Sequence, residues 1–352
     1  MKRIVICCDG TWNTPDKKEN GISCYTNVVR IAMAVKPLSD DGTNQLTFYD
    51  PGVGTSGSIF RRWFDGATGS GISENILRAY KYLILNYEPG DELYFFGFSR
   101  GAFTVRSLAG LIRNSGILKT DDAGLLHRAY TLYKSRSPLT HPREKEATLF
   151  RKTYAVADKV SIKFIGVWDT VGSLGNPLFI NNFFSKISLS VLGNQFHDTD
   201  LSSTVDFAYQ ALAVDEKRRN FKPTLWRQQD TTGQQVMEQV WFSGVHSNVG
   251  GGYSETGLSD IPFNWLMSRA RDCNLDLDNA QADENLMEVP QESWKGFYKL
   301  IPPLYRKIGV KDNGNETLDK STIEKFYKDK NYHPENLKEY LDKFPSLPLA
   351  AE

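Results

Sequence analysis

Through its first 120 residues the chain alternates short apolar, β-rich runs with stripes of helical period, and each apolar run ends in a turn rich in Asp or Gly. Residues 4–8 stop at Asp9-Gly10-Thr11-Trp12-Asn13, residues 45–49 at Asp50-Pro51-Gly52, and residues 93–96 at Gly97-Phe98-Ser99-Arg100-Gly101. Between them lie helical patterns at residues 26–35, closed by Pro37, and at 73–87, where Ile76, Leu77, Tyr80, Leu83, Ile84 and Tyr87 form one stripe. A further helix follows Ser99 to about Ile112. Strand and helix in alternation call for parallel strands joined by crossover helices, so the expected class is α/β with a mostly parallel sheet.

Beyond residue 120 the pattern loosens. Two polar helical stretches between 121 and 154, split by Pro138 and Pro142, read as an insertion over the core. Residues 160–168 form a strongly apolar strand ending at Asp169. Residues 171–236 read as irregular and then helical around 204–214, a second excursion that could serve as a lid. Residues 239–242 are the last clear strand, ending at Gly244-Val245-His246, with a helix near 262–272 after it. The expected organisation is a core over 1–280 with inserted helical segments near 121–155 and 172–236. A charged, Pro-containing helical extension over 281–352 would pack on that core.

Lys and Arg number 42, as do Asp and Glu, so no whole-molecule field draws the chain to nucleic acid. A local patch still leaves room for peripheral membrane contact. Cys7, Cys8, Cys24 and Cys273 lack zinc-ligand spacing and read as reduced structural thiols. No apolar run approaches the ~20 residues that span a bilayer, and the N-terminal run is too short for a signal peptide, so a cytoplasmic protein is expected. Oligomeric state has no signature in the sequence.

Gly97-Phe98-Ser99-Arg100-Gly101 fits G-x-S-x-G, the strand-to-helix turn that exposes a nucleophilic serine. The turn is so tight that a β-carbon two positions either side of the serine would meet backbone. Its place after Leu93-Tyr94-Phe95-Phe96 and before a helical run is the context the motif requires. The same turn puts Ser99 near a helix N-terminus, whose dipole favours the anion formed in acyl transfer.

A serine hydroxyl needs a base. His127 and His141 lie in the polar insertion and His333 in the charged tail, where surface positions are expected; His197, beside Asp198, reads as a lid residue. His246 instead follows a strand directly and opens the Gly-rich loop Gly244 to Tyr253, from which it can reach a nucleophile at the same sheet edge. Asp169 ends the strand between Ser99 and His246, giving the hydrolase order serine, acid, histidine; Asp9, Asp50 and Asp198 are the competing carboxylates. The Arg100 amide is the first expected oxyanion donor, and Gly10 or Thr11 the second. This is an α/β-hydrolase-like reading with no metal or organic cofactor.

Two other motifs carry less. Gly52-Val53-Gly54-Thr55-Ser56-Gly57 matches G-x-G-x-x-G, yet no apolar helix opens directly after it and no strand-terminal acid stands about 20 residues on, so it reads as a rim loop. Asp9-Gly10-Thr11 lacks the second acid that an aspartyl-phosphate enzyme wants two positions later.

The elbow with Gly90-Asp91-Glu92, the opening Asp9 to Asn13, Trp168-Asp169-Thr170-Val171-Gly172, and Gly244 through Tyr253 together resemble one family. It comprises α/β-hydrolase-like domains of bacteria and fungi and includes the type VI secretion phospholipase effectors. Ala211-Leu212-Ala213-Val214-Asp215-Glu216 and Pro223-Thr224-Leu225-Trp226 are also similar, and the likeness spans roughly residues 1–275. It implies hydrolysis of lipid or phospholipid esters by serine, aspartate and histidine, carried onto Ser99, Asp169 and His246. Two departures stand out: Asn248 occupies a position where the family usually has an acid, and the chain reads as near the bare domain, whereas the secreted effectors commonly have extra regions for membrane contact. Asn248 is the one sequence feature favouring a second reading, a weakly active or inactive hydrolase-fold binding module.

Overall fold

The computed structural model describes residues 1–10, 18–19, 21–52, 70–135, 137–172, 200–228, 235–280, 282–309 and 315–344. Seven strands make the main sheet: β1 (Arg3–Cys8), β4 (Gln45–Asp50), β5 (Glu92–Phe98), β6 (Ile162–Trp168), β7 (Val205–Ala213), β8 (Val236–Phe242) and β9 (Glu316–Leu318). β2 (Lys18–Glu19) and β3 (Ile22–Ser23) form a small antiparallel pair apart from it. The sheet order is β4-β1-β5-β6-β7-β8-β9, and every pairing in it is parallel. Chain order reverses at β1, with β4 on one side and β5 on the other. Open parallel sheets form their crevice outside the strands' carboxyl ends at such a switch point.

Alternation along the strands divides the core in two. Ile4, Ile6, Leu93 and Phe95 pack on one face with α2 (Ser70–Asn86) and α3 (Arg100–Ser115). Val5, Cys7, Tyr94, Phe96 and Phe98 pack on the other with α1 (Asn27–Ala34) and α7 (Gly257–Asp272). Cys7 and Cys8 therefore face opposite sides, and all four cysteines are buried and free. Thr26 caps α1, its side chain accepting from the Val29 N–H at 3.2 Å. The 121–155 region holds α4 (Ala123–Lys134) and α5 (Lys145–Tyr154), joined by a single 3-10 turn at Pro138–Thr140.

One expectation is corrected. Residues 204–214 do not form a helix: Val205–Ala213 is β7, a central strand paired with β6 and β8. A strand covered on both faces shows no polar alternation, and a short apolar run then looks the same for strand and helix. Residues 173–199 and 229–234 of the expected second excursion, His197 and Asp198 included, lie outside the described residues.

The last part of the chain supplies more than helices. β9 adds an edge strand beside β8, while α8 (Lys320–Lys328) and α9 (Glu335–Lys343) follow it. Trp241, Leu318, Tyr332, Leu337 and Tyr340 form a third buried cluster at that edge.

Tight packing at the turn after β5 fixes where the site lies. A β-carbon on Gly101 would fall 2.0 Å from the Cys8 carbonyl oxygen, and one on Gly97 2.7 Å from the Ala102 nitrogen. Backbone atoms cannot rotate away, so the first turn of α3 rests directly on the end of β1. Gly101→Ala is expected to cost about 3 kcal/mol by overpacking, read as a lower urea midpoint at unchanged slope. A variant that unfolds at the parent midpoint would show that the contact is softer than described.

Candidate active site

Ser99 stands between β5 and α3 with φ 57° and ψ −120°. A non-glycine residue held there carries about 1–3 kcal/mol of strain. It persists because the Ser99 N–H donates to the Trp168 carbonyl at 3.0 Å and because both flanking glycines admit the close turn. The hydroxyl does not cap the helix it precedes and has no hydrogen-bond partner among the described residues.

Asp169 ends β6 in the same manner, at φ 40°, and is fully buried. Its Oδ2 accepts from His246 Nδ1 at 2.5 Å. His246 opens α6 (His246–Gly250), and its N–H donates to Glu216 Oε2 at 3.2 Å. The imidazole packs against Phe98, the residue before Ser99, with centroids 4.5 Å apart, and meets the edge of Phe221 at 4.9 Å. Pairing through Nδ1 assigns the ring proton to that nitrogen and leaves Nε2 as the basic one. Thus the fold joins Asp169 to His246 directly and lays the histidine beside the elbow.

Arg306 completes the arrangement from the C-terminal part of the chain. Its Nη1 donates to Asp169 Oδ1 at 2.6 Å and its Nη2 to Oδ2 at 3.0 Å. The same two nitrogens donate to the carbonyls of Ala213 at 2.8 Å and Phe221 at 2.5 Å. Asn336 of α9 fixes the backbone around it by donating to the Arg306 carbonyl at 3.0 Å. Burial alone would raise the Asp169 pKa, but the Arg306 charge and the His246 hydrogen bond outweigh it and hold the carboxyl well below the usual range. Burial lowers the His246 pKa below 6.5; Asp169 opposes that shift without reversing it, and Arg218 adds to it. Glu216 is a second buried carboxylate. Burial would raise its pKa, but hydrogen bonds from Arg218 bring it down to about 2.

The competing residues have other work. Asp9 accepts from the Gly10 N–H at 2.6 Å, Thr26 Oγ1 at 2.5 Å and Tyr49 Oη at 3.1 Å, so it braces its own turn. That contact also engages the Gly10 amide expected as an oxyanion donor. Thr11, the other expected donor, lies outside the described residues. The Arg100 N–H is placed at the first position of α3. Asp50 accepts from Arg78 at 3.0 Å and from the Gly52 N–H at 2.9 Å, and residues 53–57 of its loop are outside the described set. His127, His141 and His333 are exposed. Asn248 Oδ1 accepts the backbone N–H groups of Val245 at 3.2 Å and Gln291 at 3.1 Å. It orders the loop that carries His246 and makes no hydrogen bond with the imidazole. Among the described residues no group of three or more His, Cys, Asp or Glu could hold a metal ion, and no helix is long and apolar enough to cross a membrane.

A parallel sheet with a strained serine at the switch point and an Asp–His pair beside it defines a protein of α/β-hydrolase-like class. The chain belongs to the family described as T6SS phospholipase effector Tle1-like, catalytic domain, whose model matches residues 2–269. Arg306 lies beyond that match. The chain is 29% identical over 241 residues to the uncharacterized protein YEL023C of Saccharomyces cerevisiae, covering 63% of this chain and 32% of the yeast protein. A solved structure of an uncharacterized protein from Pseudomonas aeruginosa matches with a TM-score of 0.45 at 18% identity, covering 78% of this chain and 46% of that one. The Tle1 effector, solved bound to the VgrG spike of the type 6 secretion system, matches at 0.39 and 20%, covering 71% and 51%. The chain thus spans about a third of the yeast relative and about half of each solved chain.

Proposed function

We propose that the chain is a serine hydrolase that cleaves carboxylic esters of lipids or phospholipids, with Ser99, His246 and Asp169 as its triad. The observation that carries this reading is the buried Asp169–His246 pair packed against the residue preceding a strained, uncapped Ser99. Ser99 Oγ attacks the ester carbonyl and passes its proton to His246 Nε2, while Asp169 stabilises the imidazolium through Nδ1. The tetrahedral oxyanion is held by the Arg100 N–H; the Gly10 amide is taken by Asp9, and Thr11 lies outside the described residues. His246 then returns its proton to the departing alcohol, and water releases the acyl group by the same route in reverse.

Family membership supports lipid as the substrate class. Asn248 lends no weight to an inactive binding module, since its Oδ1 accepts backbone N–H groups that an aspartate oxygen would accept equally. The test is fatty-acid release from phosphatidylethanolamine and phosphatidylglycerol vesicles, alongside p-nitrophenyl butyrate hydrolysis. Both should proceed, and kcat/KM should fall on the acid side with a midpoint below 6.5. The sign follows from the base: only neutral imidazole accepts the serine proton, and burial and Arg218 keep it neutral to lower pH. No turnover of any ester, or an acid limb centred well above 6.5, would count against the reading.

A further inference from the structure

A cavity of about 540 Å³ lies away from the Ser99 region, between the later turns of α3, the α4–α5 connection and residues 200–205. None of Ser99, Asp169 or His246 lines it. Arg113, half-buried in its wall, is 14 residues along α3 from Ser99, about 21 Å at the helical rise. Hydrogen bonds fix the walls: Asn114 Nδ2 donates to the Thr140 carbonyl at 2.9 Å, and Arg151 Nη1 to the Asn114 and Pro142 carbonyls at 2.9 and 2.8 Å. Ile165, Leu201 and Trp226 give it an apolar side.

Its charge is one-sided. Among the described residues Arg106, Arg113 and Arg143 line it, against one carboxylate, Asp200. Asp200 is gripped at both oxygens by Arg227, at 2.8 and 2.9 Å. Arg106 is committed to the Thr224 carbonyl at 2.6 Å and lies over the Trp226 ring. Arg113 and Arg143 differ: neither guanidinium makes a hydrogen bond or ion pair with any described residue. Burial, and after it the nearby Arg151 and Arg143, lower the Arg113 pKa, while Asp158 opposes the shift. Two guanidinium forks with the hydroxyls of Ser107 and Ser135 offer more donors than the two oxygens of a carboxylate can use. A phosphate dianion, with three terminal oxygens and charge to match two arginines, fits that donor set.

We propose that this cavity binds the phosphate group of a phosphomonoester, with Arg113 and Arg143 as its ligands, at a site separate from Ser99 and His246. The apolar side accommodates the body of the molecule. The proposal does not depend on Ser99 being a nucleophile, and its readout is binding. Calorimetric titration of the full chain with inorganic phosphate and glycerol 3-phosphate, and flotation with vesicles of phosphatidate in phosphatidylcholine, test it. Saturable binding is expected, weakened about tenfold or more by Arg113→Gln and by Arg143→Gln, with Arg113→Lys intermediate. Binding of the soluble probes identifies a free phosphomonoester, and binding of phosphatidate vesicles alone identifies a lipid headgroup. Arg143 is exposed, so its variant keeps the test valid even if Arg113→Gln unfolds. Absence of saturable binding to every probe, or parental binding by the Arg143→Gln protein, overturns the proposal.

Discussion

Replacing Ser99 with alanine is expected to lower kcat for ester hydrolysis by about 10⁴-fold or more, with the fold intact. The reason is chemical: Ser99 carries the hydroxyl at the elbow, next to Phe98, whose ring packs against the His246 paired with Asp169. The strain at this position gives the prediction a second arm. Ser99 sits at φ 57°, where glycine is at ease, so Ser99→Gly should be as inactive as the alanine variant yet about 1 kcal/mol more stable than the parent. Steady-state kinetics and urea unfolding on the two variants separate lost chemistry from lost structure. Near-parental turnover by either would mean that another group attacks the ester.

The second large effect is expected at Arg306. Arg306→Met removes both cationic hydrogen bonds to a fully buried carboxylate and strands the Ala213 and Phe221 carbonyls. Breaking a buried pair from one side costs about 3–5 kcal/mol. The catalytic consequence has a definite sign. With the arginine gone, the Asp169 charge acts on the imidazole alone, the His246 pKa rises, and the acid limb of kcat/KM moves to higher pH. Stability should respond too. A carboxyl held below its unfolded value of 3.8 contributes stability that is present above about pH 4 and lost as pH falls toward its folded value, so Arg306→Met should flatten that acid-side loss. Arg306→Lys, with the charge but without the fork, should fall between. A methionine variant with parental stability and an unmoved acid limb would remove Arg306 from the account as a positioning residue.

How much of this could be read from the sequence depends on how locally each feature is encoded. Ser99 and Asp169 each follow an apolar strand directly and His246 comes four residues after the end of one, so residue type and position along a strand mark all three as candidates in the sequence. β7 is not legible as a strand because Val205–Ala213 is an interior strand of the sheet, buried over most of its length, and carries no period-two signal. Arg306 left no trace at all. It is 137 residues from Asp169 in a charged stretch with no motif, and only the docking of α9 and β9 brings it to the carboxylate. Glu216 lay in plain view beside Asp215, but its contact with the His246 backbone depends on β7 being a strand neighbouring β8. The second oxyanion donor illustrates a different limit: a glycine at position 10 permits close approach, but its amide donates to the adjacent Asp9 side chain instead.

Fluorophosphonate labelling followed by peptide mass mapping tests the central claim most directly. The account predicts one stoichiometric adduct, on Ser99, formed faster as pH rises through the His246 pKa and absent from the Ser99→Ala protein. Folded protein that takes up no probe, or carries the adduct on a residue other than Ser99, would contradict it.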